Sequence, residues 1–166
     1  GTEVAIKTLK NLSSAGFEEE VKVLSRFRHP NLVILLGFAR HSNGDRSLVY
    51  EYLAGGDVSS RLKQCRSRSQ PKLFDAKLRL SVALDAASGL SHPHNATPRA
   101  FHRDIKSPNI LLCKNGTAKM ADFGLSCVSR DSQHKVHLAS GTAGYACPEY
   151  VRTGIVTEGS EVHSFG

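Results

Sequence analysis

Polar and apolar residues alternate at the start of the chain, and this alternation predicts a β-strand over Glu3–Lys10. Successive side chains of an extended chain point to opposite faces, so Ala5, Lys7 and Leu9 share one face of the strand. One interpretation is an edge strand whose lysine faces solvent. The alternative is that Lys7 points inward and has a partner elsewhere in the chain.

A helix is predicted next, from about Ala15 to Phe27, because apolar residues recur there at steps of three or four. Glu20 falls on the same face as Leu24. A carboxylate without a partner is costly in apolar surroundings, so Glu20 requires a cation. Lys7 is the candidate, and the two elements are therefore expected to meet.

The apolar runs at 32–37 and 46–52 predict two further strands. A long amphipathic helix is predicted over Ala76–Ser91, where apolar residues recur at steps of four. We expect Pro93 to end that helix, because proline lacks the backbone N–H that a continuing helix needs.

A hairpin is predicted around Asn115-Gly116, because this dipeptide stands between two apolar runs and suits a two-residue type I′ turn. In such a hairpin Lys114 faces Thr117. Five steps back, Asn109 faces Asp122 at a separation of roughly 4.5–5.5 Å between Cα atoms.

An amide oxygen from Asn109 and a carboxylate from Asp122 suit a hard cation such as Mg²⁺. A second carboxylate, Asp104, precedes Asn109 by five residues and is near enough to act as a base beside the metal. This combination of oxygen ligands and a nearby base is typical of a phosphoryl-transfer site.

Composition places the chain among globular proteins: it has 166 residues, of which 40% are hydrophobic and 22% charged. No apolar run approaches the roughly 20 residues that span a bilayer. The four cysteines have no metal-binding spacing and are typical of reduced thiols in a cytosolic protein.

The net charge of +7 raises the possibility of a nucleic-acid surface. Phe74 is the one aromatic residue among the clustered cations, so we expect a solvated loop over Gln64–Lys72 between two helices and no nucleic-acid partner. The clustered cations are Arg61, Lys63, Arg66, Arg68, Lys72, Lys77 and Arg79.

Four segments together resemble the signature motifs of eukaryotic protein kinases. They are Val4–Lys7, His102–Asn109, Asp122–Gly124 and Cys147–Glu149. The resemblance implies an α+β, bilobal kinase-like fold, with a small β-rich lobe that has one helix and a larger, mainly helical lobe. Residues 1–52 would belong to the small lobe and 53–166 to the large lobe.

The resemblance also implies catalytic roles. Asp104 would accept or orient the proton of the substrate hydroxyl, and Lys106 would neutralise charge on the γ-phosphate. Lys7, paired with Glu20, would hold the α- and β-phosphates of ATP. The residues expected to hold Mg²⁺ are Asn109 and Asp122.

Nucleotide contacts are implied for a further set of residues. The backbone of Glu51 and Leu53 would bond the adenine edge, and Asp57 would bond the ribose and could cap a helix at the same time. Tyr50 would lie at the back of the adenine site. The full set of implied nucleotide-binding residues is Ala5, Lys7, Glu51, Leu53, Asp57 and Leu111.

Leu125–Glu149 resembles a kinase activation segment. Arg103 could pair with a phosphate placed on a hydroxyl of this segment, such as that of Ser140. Thr142 is expected instead to bond Asp104 and Lys106.

Three positions depart from the kinase pattern. Pro93 stands where an apolar residue is usual, and Cys147 replaces alanine. Glu161 replaces an aspartate that normally bonds the backbone of the segment His102–Asn109, which resembles the kinase catalytic loop, so we expect weaker support for that loop. The resemblance also implies a domain truncated at both ends, which by itself would bind ATP poorly and transfer no phosphate.

Lys106, two residues after Asp104, is typical of serine/threonine kinases. The segments 48–52, 105–109 and 141–145 are most similar to the tyrosine-kinase-like group, which includes receptor-like and Pelle-type kinases. The function implied is ATP- and Mg²⁺-dependent phosphorylation of proteins in the cytoplasm, or on the cytoplasmic side of a receptor. Membrane association would come only from regions outside this chain. The alternatives are a non-catalytic pseudokinase scaffold and a small-molecule kinase.

Overall fold

The structure is a computed structural model that describes residues 1–10, 16–66 and 74–166. Its strands are β1 (Val4–Leu9), β2 (Leu35–Arg40), β3 (Arg46–Glu51), β4 (Arg99–Phe101), β5 (Ile110–Leu112), β6 (Ala118–Met120), β7 (Cys127–Ser129), β8 (Gln133–Lys135) and β9 (Ile155–Thr157). Its α-helices are α1 (Phe17–Arg26), α2 (Val58–Arg66), α3 (Ala76–His94), α4 (Pro148–Thr153) and α5 (Glu158–Phe165). Short antiparallel sheets and helices agree with the predicted α+β class.

An antiparallel sheet of three strands forms the first part of the structure, with β3 between β1 and β2. The alternation predicted for the first strand is present: Ala5, Lys7 and Leu9 are half-buried, whereas Val4 and Ile6 are exposed. This alternation directs the Lys7 side chain towards the interior of the molecule, which agrees with the second alternative given for Lys7 in the sequence analysis.

Helix α1 packs against this sheet through a buried face that includes Phe17, Glu20 and Leu24. The predicted helix is present, although its expected start at Ala15 lies outside the described residues. Gly16 precedes the helix with φ of 88°, and a Cβ there would lie 2.5 Å from the carbonyl oxygen of Gly124. Only glycine allows this close approach of two backbones.

Helix α3 corrects the expectation that Pro93 ends the helix. It continues through Pro93 to His94, and Asn95 N–H still donates to the Ser91 carbonyl. A proline in the last turn removes a single intrahelical hydrogen bond. Burial of its ring offsets that loss, since Pro93 is fully buried.

The hairpin of β5 and β6 corrects the predicted register by one residue. Cys113 N–H donates to the Thr117 carbonyl, which leaves a loop of three residues, 114–116, in place of two. Gly116 has φ of 90°, as a loop of this length requires at its left-handed position. Asn109 therefore faces Ala121, whose N–H bonds the Asn109 carbonyl, and Asp122 lies one residue beyond.

Helix α2 corrects the predicted loop over Gln64–Lys72, because residues 64–66 are helical. Residues 67–72 lie outside the described part of the chain. Two of the clustered cations have local partners: Arg61 donates to the Gly55 carbonyl, and Arg79 donates to the Phe74 carbonyl. None of the helices in the described ranges combines the length and apolar character needed to cross a membrane.

The main hydrophobic core lies between the three-stranded sheet, α1, α3 and β6. Phe123 and His102 are buried within it, with ring centroids 4.5 Å apart. This contact places the residues that follow β6 next to the loop that follows β4. The segments carrying Asp104 and Asp122 are thereby brought together.

Candidate active site

A cavity of about 370 Å³ lies between the three-stranded sheet and the β5–β6 hairpin. Its walls include five of the six residues expected to contact a nucleotide, namely Ala5, Lys7, Glu51, Leu53 and Leu111. Asp57 is not part of this lining. Its carboxylate accepts hydrogen bonds from the N–H and hydroxyl of Ser60, which is the helix-capping role considered above.

Lys7 is the central cation of the cavity. Its Nζ lies 2.9 Å from Glu20 Oε2 and 2.6 Å from Asp122 Oδ1. Burial alone would lower the pKa of Lys7, but these two carboxylates raise it above its ordinary value. Lys7 therefore stays protonated and can bind an anion.

Glu20 is held where the sequence pattern placed it, on the buried face of α1, and its side chain is only 1% exposed. Its second oxygen accepts a hydrogen bond from Phe123 N–H at 3.3 Å. The carboxylate thus joins β1, α1 and the segment after β6, because Lys7 and Phe123 donate to its two different oxygens.

Asp104 occupies a pocket of donors in the loop after β4. Its Oδ1 accepts from Thr142 Oγ1 at 2.6 Å, and its Oδ2 accepts from Lys106 Nζ at 2.6 Å. Asn109 Nδ2 donates to the same Oδ2 at 3.2 Å. Burial raises the pKa of Asp104, but the bonds from Lys106 and Thr142 outweigh it and hold the pKa below its ordinary value.

Asn109 and Asp122 both line the cavity. Asn109 donates through Nδ2 to Asp104, so Oδ1 is its remaining polar atom. Asp122 accepts from Lys7 through one carboxylate oxygen. The described residues contain no group of three or more His, Cys, Asp or Glu side chains arranged for a metal. An amide oxygen and one carboxylate nevertheless suit Mg²⁺, which typically takes one or two carboxylates together with phosphates and water.

Glu161 corrects the expectation of weak support for the catalytic loop. Its Oε1 accepts from Arg103 N–H at 2.6 Å, and its Oε2 accepts from His102 N–H at 2.9 Å. His94 Nε2 contacts the same Oε2 at 2.6 Å. The longer side chain therefore reaches two backbone donors of the loop, one of them on Arg103, which has a positive φ of 69°.

Arg103 directs its guanidinium into the activation segment. It donates to the Leu125 carbonyl, to the Leu138 carbonyl and to the Tyr150 hydroxyl. The backbone N–H of Ser140 donates to the same Tyr150 hydroxyl, and that hydroxyl donates to the Ser140 carbonyl. From the sequence, Arg103 was expected to pair with a phosphate on this segment. In this structure its guanidinium donates to neutral oxygens instead.

Sequence reasoning missed the ion pair between Lys119 and Glu51, a residue of the cavity wall. Lys119 is buried in β6, and its Nζ lies 2.7 Å from Glu51 Oε1, which also accepts from Ile34 N–H. The sequence assigned a role only to the Glu51 backbone. The opposite charges of Lys119 and Glu51 were the one signal for this pair. The residues are 68 positions apart, so no local sequence pattern indicates that they meet.

The chain matches the family model "Protein tyrosine and serine/threonine kinase" over residues 1–166. It is 42% identical over 171 residues to the proline-rich receptor-like protein kinase PERK7 of Arabidopsis thaliana, covering 100% of this chain and 24% of that protein. It is 41% identical over 174 residues to the probable LRR receptor-like serine/threonine-protein kinase At1g51820 of the same plant, covering 100% of this chain and 19% of that protein.

The chain thus spans about a quarter or less of the length of these relatives. The family model nevertheless matches the chain over all of residues 1–166, and the predicted kinase-like fold is confirmed. The boundary between lobes after residue 52 stays a prediction. This chain belongs to the protein tyrosine and serine/threonine kinase family.

Proposed function

We propose that the protein transfers the γ-phosphate of ATP to serine or threonine hydroxyls of protein substrates. The observation that carries this proposal is the Asp104 carboxylate, which accepts hydrogen bonds from Lys106, Thr142 and Asn109. Asn109 also lines the cavity, together with Lys7 and Asp122. An ionised carboxylate that can accept a proton, a protonated lysine and a cavity beside them are parts that phosphoryl transfer uses.

Each residue has a distinct task in the proposed reaction. Lys7, released from Asp122, would bind the phosphates, while Asn109 and Asp122 would hold Mg²⁺, which neutralises phosphate charge when bound. Asp104 would accept the proton of the substrate hydroxyl while the hydroxyl oxygen forms a bond to the γ-phosphorus. The bond from the γ-phosphorus to the bridging oxygen then breaks, and ADP leaves. Lys106 would stabilise the charge that develops on the transferred group.

The serine/threonine class is supported by Lys106 and by the names of the relatives, one of which is called a probable LRR receptor-like serine/threonine-protein kinase. Those names also favour a kinase domain on the cytoplasmic side of a receptor. We propose protein substrates because Thr142 joins the activation segment to Asp104, which places a potential docking segment beside the reacting group.

The test is transfer of labelled γ-phosphate by the intact natural protein to a generic protein substrate. Asp104→Asn should reduce transfer by roughly 10²–10⁴-fold, the usual loss when a positioned base is removed, while MgATP binding persists. Asp131→Asn, the same change at an exposed position, is the matched control and should transfer normally. Intact MgATP binding without transfer by the wild type would instead support the scaffold alternative.

A further inference from the structure

Tyr145 and Ser107 contact each other through their side-chain hydroxyls. The Tyr145 hydroxyl lies 3.0 Å from Ser107 Oγ, although the residues are 38 positions apart. Ser107 directly follows Lys106 and begins a short 3-10 helix that ends at Asn109. The contact therefore joins the activation segment to the part of the catalytic loop between two proposed site residues.

A tight turn carries Tyr145. The N–H groups of Tyr145 and Ala146 both donate to the Thr142 carbonyl at 3.1 Å, and Gly144 has φ of 86°. We call residues 142–146 the 142–146 turn. Its geometry directs two side chains, Thr142 and Tyr145, to the catalytic loop.

The two side chains attach the 142–146 turn at two separate places. Thr142 Oγ1 bonds Asp104 and Lys106, and the Tyr145 hydroxyl bonds Ser107. Next to the turn, a Cβ on Gly141 would lie 3.1 Å from the Arg103 carbonyl oxygen, so the two backbones are already in close contact. One attachment leaves a turn free to rotate about it, whereas two attachments fix its orientation.

Orientation matters here because the proton acceptor lies at one of the attachments. A substrate hydroxyl must come within about 3 Å of the Asp104 carboxylate for proton transfer. The 142–146 turn borders that carboxylate through Thr142, so its orientation sets the space that an acceptor side chain can enter. Tyr145 does not line the nucleotide cavity.

We propose that Tyr145, through Ser107, is a positioning residue that fixes the 142–146 turn so that the hydroxyl of a protein acceptor meets Asp104. This inference rests on the proposed function, and it adds a determinant of acceptor binding that is separate from ATP binding. Tyr145→Phe should raise the KM for a peptide acceptor about fivefold, the change that corresponds to one neutral hydrogen bond.

The experiment measures steady-state phosphorylation of a serine-containing peptide by the intact protein, its Tyr145→Phe and Ser107→Ala variants and the double variant. Each single change removes one hydroxyl from the same contact, so the double variant should be no worse than either single variant. The KM for ATP should stay unchanged in all of them. Ser132→Ala removes an exposed hydroxyl from the same segment and is the matched control.

Unchanged acceptor KM in Tyr145→Phe would overturn the proposal, as would additive effects or an equal rise in the KM for ATP. Hydrogen exchange provides a readout that does not need catalysis: the amides of Tyr145 and Ala146 should exchange faster in both single variants. Unchanged protection of these amides would also overturn it. A wild-type protein that transfers no phosphate would contradict the proposed function itself, while the exchange measurement would still decide whether Tyr145 holds the turn.

Discussion

Two buried tyrosines differ in what their hydroxyls contact. Tyr50 is 6% exposed, and within the described ranges its hydroxyl has no hydrogen-bond partner. Burial and the nearby Glu20 carboxylate raise the pKa of the Tyr50 hydroxyl, so it stays protonated. Tyr150 is 3% exposed, and its hydroxyl bonds the Arg103 side chain and the backbone of Ser140.

Because the two hydroxyls differ in their partners, replacing each tyrosine by phenylalanine should change the free energy of unfolding differently. Tyr150→Phe should lower the free energy of unfolding by about 1–3 kcal/mol, because it leaves buried polar partners unsatisfied. Tyr50→Phe should leave it unchanged or raise it by up to about 1 kcal/mol, since an unpartnered hydroxyl is removed and the ring is kept. Urea unfolding of the purified protein measures both changes, and equal losses in the two variants would contradict the assignment.

Single residues of the proposed site were predictable where their chemistry limits the alternatives. Glu20 in an apolar helical stripe requires a cation, and Lys7 supplies it at 2.9 Å. Lys119 was not predictable in the same way. Its charge is compatible with solvent, and only the fold buries it against Glu51.

At the scale of elements, the approach of α3 to the loop after α1 depends on Gly89. A Cβ at this position would lie 2.4 Å from the carbonyl oxygen of Asn31. Asn31 itself is fixed, because it is buried and its Nδ2 donates to the Ala118 carbonyl at 2.9 Å. The helix and the loop can therefore pack this closely only with glycine between them.

Helix propensity and packing make opposite predictions for Gly89→Ala. Propensity alone predicts a gain of roughly 0.5–1 kcal/mol in an exposed helix. We expect a loss of about 2 kcal/mol or more, because overpacking against fixed backbone forces the helix to shift. Thermal unfolding measures the change. Gly37→Ala is the control, since a Cβ there meets no atom within 4 Å, and a stabilised Gly89→Ala would show that the contact is easily relieved.

Elements were predicted better than their ends and registers. Periodicity located β1, α1 and α3, because each buries one face and the pattern of that face is local. The hairpin was shifted by one residue, since Asn-Gly suits more than one loop length and pairing with neighbouring elements selects among them. Pro93 did not end α3, because tertiary burial of its ring outweighs the lost hydrogen bond.

At the scale of the whole molecule, Glu161 connects parts of the chain that are far apart in sequence. Its carboxylate in α5 contacts His94 of α3 and two backbone N–H groups of the loop after β4. Burial raises the pKa of Glu161, but the His94 contact and these bonds outweigh it and hold the pKa below its ordinary value of 4.5. The ionised carboxylate therefore stabilises the fold.

A carboxylate with a lowered pKa stabilises fully above its ordinary pKa, and the contribution is lost as pH falls through the folded pKa. Glu161→Gln should lower the free energy of unfolding by about 3 kcal/mol at pH 6.5, and this difference should shrink as pH falls below about 4.5. Urea unfolding across this pH range measures it. Glu158→Gln, on the same helix but 48% exposed, should change little at any pH. A pH-independent Glu161→Gln difference would contradict the assignment.

The sequence by itself determined the family, the local elements and the residue types of the proposed site. It could do so because these depend on short motifs and on the periodicity of buried faces. The tertiary structure alone decided which distant groups meet: Lys119 with Glu51, Tyr145 with Ser107, and Glu161 with His94. No spacing along a chain encodes such contacts, because they form only when separate elements pack on a common core and leave buried polar atoms that must be satisfied.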